Sequence, residues 1–102
     1  MNKLDIMVAI HELDWNRFPE HQSTIKEMAD EVKFQGSFVT PEDILLSKEE
    51  KKFSGLGDLC VLLEFNTEKG ILLSSESIPF LFHGSYINEE PVIEQVLINP
   101  YP

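Results

Sequence analysis

The chain has 102 residues, of which 18 are Asp or Glu and 8 are Lys or Arg, giving a formal charge of −10; 42% are hydrophobic and one is cysteine. That length holds a single domain, residues 1–102, with a core of its own, and one cysteine excludes an internal disulfide framework. The cations are scattered among carboxylates, so nucleic acids and anionic membrane surfaces, which reward gathered positive charge, are poor ligands.

In chain order, residues 4–13 carry two periodicities. Leu4, Met7, Val8 and His11 share a helical face, while Ile6, Val8 and Ile10 would share one face of a strand. Asn2 as a cap and Asp5 in the first turn favour the helix. The apolar run at 6–10 is five residues long. That is short of the about 7–15 of a secretory core or the about 20 of a membrane span, so the expectation is a cytoplasmic protein. Residues 14–22 contain Asn16 and Pro19 and read as a loop that holds Trp15 and Phe18. Thr24 and Glu27 have capping-box spacing, and Ile25, Met28, Ala29 and Val32 follow at helical intervals, which predicts a helix to about Lys33.

Gly36 ends that pattern and residues 37–40 read as a short extended piece. Thr40 and Pro41 mark a helix start, and Ser47 with Glu50 offers a second capping box, so one helix or two short ones are expected up to Phe53. Gly55 and Gly57 make 54–58 a turn. Residues 59–65 and 71–75 then read as strands of a hairpin, joined by a polar loop from Asn66 to Gly70. Residues 78–82 look like a third strand, held to an edge or bulged by Pro79, with 86–88 extending it after Gly84. Residues 92–98 are rich in β-branched residues and read as strand, although Asn88 to Pro91 also resembles a helix start. The expected fold is α+β: a small antiparallel sheet packed by two or three helices.

Motifs for bond-making chemistry are missing. His11 and Glu12 begin like a zinc-protease helix, but position 15 is Trp where a second His is required. No Cys or His pair has metal-ligand spacing, no Gly-rich loop cradles phosphate, and Ser54 lacks the flanking glycines of a nucleophile elbow. Cys60 sits in an apolar run, where a thiol is a buried hydrophobe. Glu64, in the same predicted strand, must face outward or be paired, because an isolated buried carboxylate is costly. No catalytic residue, metal or cofactor is expected.

Charge is uneven along the chain. Residues 70–102 hold Glu76, Glu89, Glu90 and Glu94, and no Lys or Arg follows Lys69. Excess charge keeps a small domain dispersed, and it also steers encounter with a basic partner. Carboxylates beside aromatic anchors make Asp14, Trp15, Glu20, Tyr86, Glu89, Glu90 and Glu94 the candidate partner-binding residues.

In its length, acidity and lack of catalytic motifs the chain resembles the small immunity proteins of bacterial toxin–immunity pairs, including those of contact-dependent growth inhibition. The resemblance covers the whole length and rests on no shared motif, so no residue role is carried over. Such proteins are cytoplasmic, often acidic, and neutralise one cognate toxin, commonly a basic nuclease, by covering its active site. The resemblance implies a non-enzymatic inhibitor, monomeric or weakly dimeric when free, whose carboxylates occupy toxin positions that receive nucleic-acid phosphates. The alternative is a non-catalytic regulatory or assembly subunit whose acidity serves only solubility.

Overall fold

The computed structural model describes residues 2–98. Two α-helices, α1 (Lys3–His11) and α2 (Pro19–Lys26), precede five strands: β1 (Glu31–Phe38), β2 (Ile44–Ser47), β3 (Lys52–Thr67), β4 (Gly70–Ile87) and β5 (Glu90–Ile98). Short 3-10 turns lie at Trp15–Arg17 and Pro41–Asp43. The strands make one antiparallel sheet in the order β1-β3-β4-β5, with β2 beside β3 on the same flank as β1. The fold is therefore α+β, as the sequence predicts.

The long β3–β4 hairpin is the spine. On β3, Phe53, Leu59, Val61 and Leu63 are buried at alternate positions, and on β4 so are Ile78, Phe80 and Phe82. That period of two directs one face of the sheet into the core. Ile6, Ile10, Trp15 and Ile25 cover the same core from the helical layer. Each fully buried Ile, Leu or Phe contributes roughly 1.5–3 kcal/mol of transfer free energy. The opposite face of the sheet carries no helix. The molecule measures 57 × 24 × 23 Å, because the hairpin runs on beyond the strands that flank it.

Several local expectations change. The helix expected at 4–13 forms over Lys3–His11, capped by the Asn2 side chain, which accepts from Leu4 N at 2.8 Å. Its core-facing residues, however, are Ile6 and Ile10, while Leu4 and Val8 are exposed. The loop expected at 14–22 contains a 3-10 turn and the start of α2, which begins at Pro19. The capping box at Thr24 does not operate: Thr24 lies inside α2, its hydroxyl donating to Glu20 O. The helix expected to Lys33 stops at Lys26, and residues 31–38 pair with β3 instead. Long-range sheet pairing overrides the local helical spacing here.

Likewise Pro41 opens only a 3-10 turn, and the helices expected up to Phe53 are replaced by β2 and a turn at 48–51. The turn expected at 54–58 is continuous strand. Residues 71–75 and 78–82 are one strand rather than two, passing through both Pro79 and Gly84. Pro79 lies one residue beyond Phe80, which pairs with Ile98, the last described residue of β5. Residues 92–98 are strand, as expected. Cys60 is half-buried rather than buried, since it points to the helix-free face.

Candidate partner-binding surface

The register of the sheet builds a patch that no single segment contains. Leu56 lies opposite Leu81, and Leu81 opposite Leu97, so three leucines form a row across β3, β4 and β5. All three sit on the helix-free face, because the neighbouring positions of β3 and β4 point into the core. The next row reads Leu45, Ser54, His83 and Gln95 across four strands. Leu45, Leu56, Leu81 and Leu97 are 45 to 71% exposed. Together with Glu42, Asp43, Ser54, His83 and Gln95 they line a shallow concavity of about 570 Å³. Its described lining holds two carboxylates and no Lys or Arg. His83 Nε2 lies 2.6 Å from Gln95 Oε1, which fixes the polar border of the leucine row.

A second feature lies where α1 meets the β4–β5 turn. Asn88 and Glu89 both have positive φ, 53° and 64°, as a two-residue hairpin turn with the twist of the strands requires. That turn holds Glu89 and Glu90 beside Asp5 of α1 and Glu12 at its C-terminal cap, around Val8, Ala9 and Pro91, in a groove of about 430 Å³. Four carboxylates thus share one apolar-floored groove. On its other side Glu89 and Asp5 border Lys48 and Lys51.

The residues expected from sequence do not form one patch. Trp15 is 7% exposed, packed edge-on against Phe80 at 5.1 Å, with its Nε1 donating to Ser37 Oγ at 3.4 Å. It is a core residue and not an interface anchor, which corrects the expectation. Tyr86 is half-buried; its hydroxyl donates to Asn2 O at 2.9 Å, and its ring packs on Phe53. Asp14 accepts from Asn16 N and caps the 3-10 turn. Glu20 and Glu94 are exposed and line a groove with Arg17 and His21, and Glu94 also accepts from Ser85 Oγ. Only Glu89 and Glu90 fall in the acidic groove. The leucine-lined concavity has no signature in the sequence because its four leucines come from four strands, and Leu45 and Leu56 lie in segments read as helix and turn.

The histidines do not converge. His11 packs on Phe38, His21 donates to Val96 O at 2.8 Å, and His83 borders the leucine row. Among the described residues no three His, Cys, Asp or Glu side chains are grouped to hold a metal ion, and no helix is long and apolar enough to cross a membrane. Glu64 is paired, with Lys33 Nζ at 3.1 Å; this ammonium holds its carboxyl below the usual range. Compared with known proteins, the chain matches no family, no curated protein and no solved structure.

Proposed function

We propose that the protein is a binding module that docks its acidic, leucine-centred surface onto a basic partner protein, in the manner of an immunity protein covering a toxin nuclease. The observation that carries this reading is the in-register row Leu56, Leu81 and Leu97, left open on the helix-free face and bordered by Glu42 and Asp43 with no lining Lys or Arg. Exposed aliphatic side chains in the centre supply affinity by desolvation, and surrounding carboxylates steer and orient a cationic surface. In this reading the carboxylates stand where the nuclease would hold phosphates, and the protein acts in the cytoplasm.

Titration calorimetry against a basic toxin nuclease domain at two ionic strengths tests the reading. Leu81→Ser is expected to weaken binding by about 10-fold or more, in line with loss of a central apolar anchor. Glu42→Gln with Asp43→Asn is expected to slow association and flatten its salt dependence. Binding that ignores both ionic strength and Leu81→Ser would sink the proposal.

A further inference from the structure

Among the described residues, one edge of the sheet is left without protection. Among the described residues β5 pairs with Phe80–Ile87 of β4, and residues 70–79 of β4 present an outer edge with no described neighbour. At 3.3 Å per residue that edge is about 33 Å long. The outer edges of β5 and β1 are blunted. On β5, Arg17 donates to Ile93 O at 3.3 Å and His21 to Val96 O at 2.8 Å, occupying outward carbonyls. On β1, the register breaks between Phe34 and Gly36, where Gly36 has a φ of 149°. The β4 edge has neither device. Between Gly70 and Ile78 it carries no Lys, no Pro and one charge, Glu76, and Ile71, Leu72 and Leu73 are 56 to 66% exposed. A long apolar edge of this kind is a template for another strand.

We propose that this edge pairs with the same edge of a second copy, antiparallel about a two-fold axis at Leu72. In that register Leu72 meets Leu72 of the other copy, and Ile71 meets Leu73 and Leu73 meets Ile71. Gly70 and Ser74 close the ends without bulk. Residues directly opposite in an antiparallel pair point to the same face, so Ile71 and Leu73 of both copies cluster on the helix-free face and the two Leu72 side chains on the other. Every aliphatic residue of 70–74 finds an aliphatic partner, which a strand of unrelated sequence would not offer. Five residues a side and six aliphatic side chains stay below the ~1,200 Å² of stable complexes, so the dimer is weak, with a Kd on the order of 0.1 mM. The contact brings together two chains of charge −10. Added salt therefore strengthens it by screening.

The test uses the full chain. Sedimentation from about 10 μM to 1 mM, spanning the weak Kd expected for so small an interface, should show a monomer–dimer equilibrium that tightens with salt. Leu72→Lys with Leu73→Lys, at positions already exposed, should leave it monomeric throughout with an unchanged urea midpoint. In a Cys60→Ser background, Leu72→Cys should form an interchain disulfide on oxidation with diamide, because opposed Cα atoms on paired strands lie about 4.5–5.5 Å apart, within disulfide reach. Ser75→Cys, three residues from the axis, should not. A monomer at 1 mM, a dimer that survives the double lysine variant, or equal cross-linking of the two cysteine variants overturns the proposal.

Discussion

Lys33 and Glu64 sit diagonally across β1 and β3, and among the described residues theirs is the ion pair whose titration is shifted. The hydrogen bond to Glu64 raises the Lys33 ammonium above its ordinary 10.5, and the same bond lowers the Glu64 carboxyl below its ordinary 4.5. A lowered carboxyl stabilises the fold fully above 4.5 and loses that contribution as pH falls through the folded-state value. A raised ammonium stabilises fully below 10.5 and loses its share as pH rises through its folded-state value. Glu64→Gln is therefore expected to lower the urea midpoint across the interval between those limits, and the gap to the parent should close at both extremes. Both groups are solvent-screened, so the effect is small and best read as a difference between pH 7 and pH 3. A gap that persists unchanged at pH 3 would assign the loss to packing of the Glu64 side chain instead.

At the scale of elements, the two central strands are shaped by glycines that stand opposite phenylalanines: Gly55 against Phe82, Gly57 against Phe80, and Gly84 against Phe53. A Cβ on Gly57 would lie 2.7 Å from Phe80 Cζ and 2.9 Å from Phe38 O, so the ring occupies the space a side chain would need. Gly57→Ala is expected to cost about 1–3 kcal/mol by overpacking, measured by urea unfolding. Adding Phe80→Leu should return part of that loss, a coupling that independent sites would not show. These pairs also explain which elements could be read from sequence. The α+β class, α1, the 66–70 turn region and β5 were legible, because Asn2, the Asn66 and Gly70 boundaries and the β-branched run at 92–98 act locally. Gly55 and Gly57 read as a turn because their true function, making room for rings more than 20 residues away, has no local signature. The helical spacing of Ile25 to Val32 misled for the opposite reason, since a helix of that span would give up the pairing of Val32 and Phe34 with Leu63 and Val61. The acidic groove was half legible, through Glu89 and Glu90, and its α1 half was not, because Asp5 and Glu12 lie some 80 residues away in the chain.

For the molecule as a whole, the separation of its surfaces matters more than its net charge. The leucine row around Leu81 and the open edge around Leu72 lie on the same strand, nine residues and so about 30 Å apart. The acidic groove at the β4–β5 turn is farther still, towards the other end of the 57 Å axis. At physiological ionic strength the screening length is about 8 Å, so charge placed on one site is scarcely felt at the other. Neither site shares a residue with the other, and the continuous β3–β4 hairpin that joins them is a packed element with no hinge in its paired register. The two associations should therefore be energetically independent. Saturating the acidic surface with its basic partner is expected to give a two-to-two complex at high concentration, with a dimerisation constant within a factor of about two of that of the free protein, as additivity between distant sites requires. Sedimentation equilibrium with and without partner measures this directly. The two equilibria should also respond oppositely to salt, partner binding weakening while edge pairing tightens. If the partner instead dissolved the dimer, it would have to reach the β4 edge itself, and the leucine row and the edge would then be parts of one docking surface rather than two.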